Sequence, residues 1–193
     1  RQPMEEKKVR LVRGSGTYEY PADFMLIAAM NPCKCGYYPD MNKCRCTQAA
    51  IERYVNHISQ PILDRIDLCV ETPRIAFEEL NGNGTEEKSE QIRKRVIKTH
   101  EIQRKRFENE SFRFNSQIPA SLIKKYCPLR KEQEIYMEKM YRQLNLTARS
   151  YHKILKVART LADMEESEEI LDSHLSEAVC YRSVDKHFWR NGV

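Results

Sequence analysis

Phe24-Met25-Leu26-Ile27-Ala28-Ala29-Met30 is a continuous apolar run, and Asn31-Pro32 ends it abruptly. A short apolar run closed by a turn signal suits a central strand of a parallel sheet, buried on both faces. This stretch places the chain in the α/β class. It also puts a polar amide, Asn31, at the carboxyl end of the expected strand, where open α/β sheets receive ligands. An Asn there can orient a water against a terminal phosphate. Taken alone, Ala28-Ala29-Met30-Asn31-Pro32 reads more simply as an Asn that starts a turn.

Upstream, Lys8-Val9-Arg10-Leu11-Val12-Arg13 and Thr17-Tyr18-Glu19-Tyr20 alternate around Gly14-Ser15-Gly16, which predicts a β-hairpin closed by Pro21. Downstream, Thr47 is positioned to cap a helix running to about His57. Pro61-Ile62-Leu63-Asp64-Arg65 reads as a loop or helical turn, and Ile66-Asp67-Leu68-Cys69-Val70-Glu71 as a further strand ended by Pro73. Asn81 to Lys88, rich in Gly, Asn and Glu, is the expected linker. Everything beyond it reads as helix: a basic helix over Ser89 to Phe107, a short helix begun by Pro119, an amphipathic one over Lys131 to Leu144, one capped by Thr147 and running to about Met164, and a last one capped by Ser173. The expected fold is therefore α/β: the C-terminal part of a P-loop core (residues 1 to about 80), then an all-helical domain (about 86 to 193). These few strands cannot complete a sheet.

The 193 residues are 40% hydrophobic and 32% charged, with a net charge of +5. No stretch approaches the length of apolar sequence that spans a membrane, and the chain opens with no basic, apolar, then small-residue signal pattern. The expected location is the cytoplasm. The mild basic charge is compatible with phosphate-bearing partners without demanding them. In the basic helix, Arg93, Lys94, Arg95, Lys98, Arg104, Lys105 and Arg106 read first as a solvated face.

Of seven cysteines, four form Cys33-x-Cys35 and Cys44-x-Cys46. In a reducing compartment such clusters indicate metal or redox chemistry rather than structural disulfides. Four thiolates suit a tetrahedral Zn²⁺ site, although the pairs are closer than the usual C-x₂₋₄-C. Lys34, Lys43 and Arg45 favour thiolates electrostatically and could touch nucleic-acid phosphates. The alternative is a loop of reduced thiols.

Two further motifs carry a cation in a telling place. Arg65, in Leu63-Asp64-Arg65-Ile66-Asp67-Leu68, is either a member of a surface ion network or a guanidinium offered to a neighbouring subunit's phosphate. Arg149 lies in the first turn of the helix capped by Thr147, where the macrodipole disfavours a cation by a few tenths to about 1 kcal/mol. A phosphate ligand would reverse that preference; the plain alternative is an exposed Arg.

Together, Ala28-Ala29-Met30-Asn31-Pro32-Cys33, Pro61-Ile62-Leu63-Asp64-Arg65-Ile66-Asp67-Leu68 and Thr147-Ala148-Arg149-Ser150-Tyr151-His152-Lys153-Ile154-Leu155-Lys156-Val157-Ala158-Arg159-Thr160 resemble, in order and spacing, the magnesium-chelatase-like AAA+ ATPases of the ComM/YifB family. The resemblance runs from Arg1 to Asp185. It implies that Asn31 is the sensor-1 residue, Arg65 the arginine finger and Arg149 the sensor-2 arginine, and that Arg13 on the hairpin faces DNA in a ring's central pore. It also implies a homo-hexamer that uses ATP and Mg²⁺ to move on DNA, with branch migration during DNA uptake as the role. Two other classes stay open: a magnesium chelatase subunit, and a zinc-dependent DNA-binding module. No Gly-x-x-x-x-Gly-Lys-Ser/Thr occurs, and no apolar strand ends in Asp-Glu, so these residues alone are expected not to hydrolyse ATP.

Overall fold

The computed structural model describes residues 2–72 and 87–189. They divide into two compact units, residues 2–66 with 185–189, and residues 67–72 with 87–184. The linker expected over Asn81 to Lys88 lies, through residue 86, outside the described residues.

The first unit opens with a short helix, α1 (Gln2–Glu6), which Lys7 ends in the left-handed region at φ 55°. The hairpin follows, β1 (Lys8–Arg13) paired antiparallel with β2 (Gly16–Pro21), in the register Arg10↔Glu19 and Arg13↔Gly16. Alternation over both arms makes the pairing, and Glu19 binds Lys8 and Arg10 across it at 2.5 and 2.9 Å. Next come the cysteine loop, α2 (Gln48–Val55) and α3 (Gln60–Leu63). Thr47 caps α2 as expected, its hydroxyl accepting the Ala50 N–H.

Two expected strands do not form, and this corrects the α/β reading for the described residues. Their only sheet is the two-stranded hairpin. The Phe24 to Met30 run adopts no regular element, and Met25 and Ile27 are more than four-fifths exposed. A strand exists only through its ladder, and no described segment forms one with this run. The Ile66 to Glu71 stretch is likewise irregular through described residue 72. Its backbone is engaged elsewhere: the Cys69 N–H donates to the Tyr181 carbonyl at 3.0 Å.

The second unit is helical, as expected: α4 (Ser89–Arg106), a 3₁₀ turn (Asn115–Gln117), another (Ala120–Leu122) leading into α5 (Ile123–Tyr126), α6 (Lys131–Gln143), α7 (Ala148–Met164) and α8 (Asp172–Trp189). Pro119 stands just before the second 3₁₀ turn rather than inside a helix. Ser173 lies inside α8 instead of capping it; the His174 Nδ1 accepts the Leu171 N–H at 3.0 Å and serves that end. The core gathers Phe107, Ile118, Met137, Ile154, Leu175 and Ala178, all nearly or fully buried. On α4, Lys94, Arg95 and Lys98 pair with Glu90, Glu87 and Glu166, the pattern of a solvated face.

One polar cluster is built into this core. The Asp163 carboxylate is fully buried and is gripped by both terminal nitrogens of Arg106, by Arg159 Nε at 3.1 Å and by Asn115 Nδ2 at 2.8 Å. Arg159 also donates to the carbonyls of Glu168 and Ser167 at 2.7 and 2.5 Å, closing the turn after α7. Removing the carboxylate strands two guanidiniums. Asp163→Ala is therefore expected to destabilise the protein by about 3–5 kcal/mol, read from denaturant unfolding. A change under about 1 kcal/mol would contradict this account.

Candidate functional site: a basic groove and a four-cysteine cluster

The basic groove is set up by a helix–helix turn. Asn145 adopts φ 44°, and the Leu146 N–H reaches back to the Tyr141 carbonyl at 2.9 Å, a Schellman ending for α6. Buried Leu146 pins that turn. Thr147 then starts α7, its hydroxyl accepting the Ser150 N–H at 3.2 Å. Arg149 thus sits in the first turn of α7, exposed, as expected from sequence.

Arg149, His152, Lys153, Lys156 and Ala120 line a groove of about 390 Å³. Three of these side chains are cations, and none is a carboxylate. Residues 149, 153 and 156 recur at helical spacing, so one face of α7 presents all three. Lys153 is mostly buried and its Nζ lies 2.8 Å from Asp67 Oδ1. Lys156 Nζ donates to the Ser116 carbonyl at 2.9 Å. Burial lowers the pKa of Lys153 below the ordinary lysine value, against the pull of Asp67, and burial likewise lowers that of Lys156. Arg182 approaches from α8, with Nη2 3.4 Å from Ser150 Oγ. This concentration of positive charge at a helix start matches a polyanion, phosphate above all. Sequence reasoning singled out Arg149 but not Lys153 or Lys156; their i+4 and i+7 spacing from Arg149 was the available signal.

The cysteine cluster lies in the first unit. The sulfur ligand atoms of Cys33, Cys35, Cys44 and Cys46 all lie within 4.8 Å of one another. Cys33 Sγ is 3.3 Å from Cys35 and 3.8 Å from Cys44, and Cys35 is 3.5 Å from Cys44. A tetrahedral ion with Zn–S bonds of about 2.3 Å needs sulfurs about 3.8 Å apart, so the donor set fits the ion. Burial raises the Cys33 pKa, but N–H donors of Tyr38 and Tyr37 and the neighbouring thiols of Cys35 and Cys44 outweigh it, bringing the thiol to about 6. Cys44 goes the other way: its bond from Cys46 lowers it, but burial and the thiols of Cys35 and Cys33 push it up to about 12. Cys33 and Cys44, with Ile51 and Val55 of α2, are the buried residues of a small separate core. So few apolar groups give little folding energy, and small units of this kind depend on staples or metals.

Asn31 is exposed and lies where this loop begins. Gly36 holds φ +77°, a conformation open to glycine, and packs beside the Asn31 amide; a Cβ at residue 36 would sit 3.6 Å from Asn31 Cγ. Arg65 is mostly buried; it donates to the Pro61 carbonyl and pairs with Glu5 at 2.7 Å, a partner that sequence reasoning did not anticipate. Arg13 is exposed at the hairpin's turn. Asn31, Arg65 and Arg13 belong to the first unit and Arg149 to the second.

These features, a cysteine loop beside a hairpin and a helical unit with a basic groove, coincide with two family matches. Residues 1–80 match the family described as magnesium chelatase, subunit ChlI, and residues 86–182 match magnesium chelatase, subunit ChlI C-terminal. The chain belongs to the magnesium-chelatase-like family. Among its relatives are competence protein ComM of Haemophilus influenzae, 37% identical over 95% of this chain, and the YifB proteins of Salmonella typhimurium and Escherichia coli, 39% and 37% identical over 96%. The chain spans 35% of the length of that ComM protein and 36% of each of these YifB proteins. Among the described residues no helix is long and apolar enough to cross a membrane.

Proposed function

We propose that this chain is the nucleotide-sensing part of a ComM-like AAA+ ATPase that acts on DNA as a homo-hexameric ring in the cytoplasm. The observation that carries this reading is Arg149, held in the first turn of α7 in a groove with Lys153 and Lys156. ATP with Mg²⁺ would supply the phosphoryl bond whose cleavage drives the motor. Arg149 would contact the terminal phosphate bound in the same subunit, and so tie movement of the helical unit to the state of the nucleotide. Asn31 would orient the attacking water. Arg65 would reach the phosphate of the neighbouring subunit, exchanging Glu5 for it. Arg13 at the hairpin turn would hold DNA backbone, with branch migration during DNA uptake as the role.

The four cysteines would hold one structural Zn²⁺, keeping the loop after Asn31 in place. Residues 1–193 contain no Walker A or B motif, so they are not expected to hydrolyse ATP by themselves.

The test is Arg149→Ala in the full-length protein, with ATP and ADP affinities measured separately. A charge-assisted phosphate contact contributes roughly 1.5–3 kcal/mol. Loss of about that much for ATP, with little change for ADP, is the expected result. Unchanged affinities together with unchanged turnover would return Arg149 to the role of a surface residue.

A further inference from the structure

We propose that Lys153 is a second phosphate-recognition residue of the helical unit, and that Asp67 is its removable counter-ion, displaced when a nucleoside triphosphate enters the groove. This deepens the reading of Arg149 and rests on it.

Lys153 lies one helical turn beyond Arg149 on the same face, and Lys156 nearly another turn on. The rise of 1.5 Å per residue spaces the three by about 6 and 4.5 Å along the axis, a row that suits a chain of phosphates. Lys153 keeps only 17% of its side chain exposed, whereas Asp67 keeps 65%. The pairing is therefore lopsided. A cation so far from solvent needs a counter-charge, and loses much if left without one. An exposed carboxylate loses little by returning to water. A phosphate oxygen entering the groove can replace it and satisfy the buried ammonium better.

Where Asp67 stands gives the exchange a consequence. It follows Arg65 by two residues in Leu63-Asp64-Arg65-Ile66-Asp67-Leu68, and Cys69 behind it is hydrogen-bonded to the carbonyl of Tyr181 on α8. The Asp67–Lys153 pair thus tethers the segment following Arg65 to α7. Triphosphate binding would cut that tether, reporting a subunit's own nucleotide to the segment that carries Arg65.

The experiment is equilibrium binding of Mg·ATPγS and Mg·ADP to the full-length protein, comparing wild type with Asp67→Asn, Lys153→Gln, Lys153→Arg, the Asp67→Asn/Lys153→Gln double variant and Arg149→Ala. Asp67→Asn should tighten ATPγS binding by about fivefold or more, since it removes the competitor. Lys153→Gln should weaken it about tenfold, and Lys153→Arg should keep it within about threefold of wild type. The double variant should lie within about twofold of Lys153→Gln alone, because Asp67 competes chiefly through the ammonium it binds at 2.8 Å and acts on Lys156 only at longer range. ATPγS affinity unchanged or weakened in Asp67→Asn overturns the proposal, as does a tightening that persists without Lys153. Because Asp67→Asn replaces an exposed carboxylate by its isosteric amide, the test stands even if Lys153→Gln folds poorly. Arg149→Ala separates the two readings. A weakened Arg149→Ala beside indifferent Asp67 and Lys153 variants defeats this inference alone. An indifferent Arg149→Ala beside the expected Asp67 and Lys153 effects defeats the Arg149 assignment alone.

Discussion

Arg65→Ala in the full-length protein should leave ATP binding intact and lower turnover by about 10³–10⁵, the range over which a supplied arginine accelerates phosphoryl transfer. Two features support an effect of this size. The planar fork of a guanidinium fits phosphate oxygens. In this structure it already holds an anionic partner, Glu5, at 2.7 Å, so the side chain is organised to grip oxygen. If Arg65 serves only that ion pair, its loss should cost stability and leave turnover per folded subunit near wild type. Action between subunits has a sharper readout. Arg65→Ala subunits mixed with subunits lacking a working Walker A lysine should regain turnover, since a mixed interface unites an intact nucleotide site with an intact Arg65. Mixtures as inactive as their components would exclude action in trans.

The second large effect is expected at the cysteines. Protein purified under reducing conditions should carry about one equivalent of Zn²⁺, and Cys44→Ser should carry less than about a tenth. Cys44 is an informative position because its sulfur lies within 3.8 Å of both Cys33 and Cys35, so its loss opens the donor set. Structural zinc sites contribute roughly 10–16 kcal/mol to folding, far more than the few buried residues around Ile51 and Val55 can offer. Chelation should therefore loosen the loop and α2 together, visible as faster amide exchange across Gln48–Val55. The pH dependence has a definite sign. The Cys33 thiol, near 6, is already largely ionised at neutral pH, whereas Cys44, pushed up to about 12, holds a proton that zinc must displace. Affinity should thus rise with pH between 6 and 8, on the order of tenfold per unit for each proton released. An affinity independent of pH would contradict a thiolate site containing Cys44.

Much of the fold was legible because its signals are local. The hairpin follows from alternation around Gly14-Ser15-Gly16, and the starts of α2 and α7 from threonines whose hydroxyls meet N–H groups three residues on. The helical unit follows from apolar periodicity. The Phe24 to Met30 run misled, because apolar composition announces that a segment wants burial without naming the neighbour that buries it. Ladder partners are non-local, and among the described residues that run has none. Ile66 to Glu71 misled for a related reason: Lys153 and the Tyr181 carbonyl hold Asp67 and Cys69, and both lie more than eighty residues away.

The sequence by itself determined the family, through the order and spacing of three motifs along the chain, and, through residues close together, the four-cysteine spacing and the placement of Arg149 in a helix's first turn. Only the tertiary structure decided that the four sulfurs converge within 4.8 Å, that Glu5 holds Arg65, that Arg106 and Arg159 share the buried Asp163, and that Asp67 neutralises Lys153. Charge pairing across long stretches of chain depends on which surfaces packing brings together, and no local propensity encodes that.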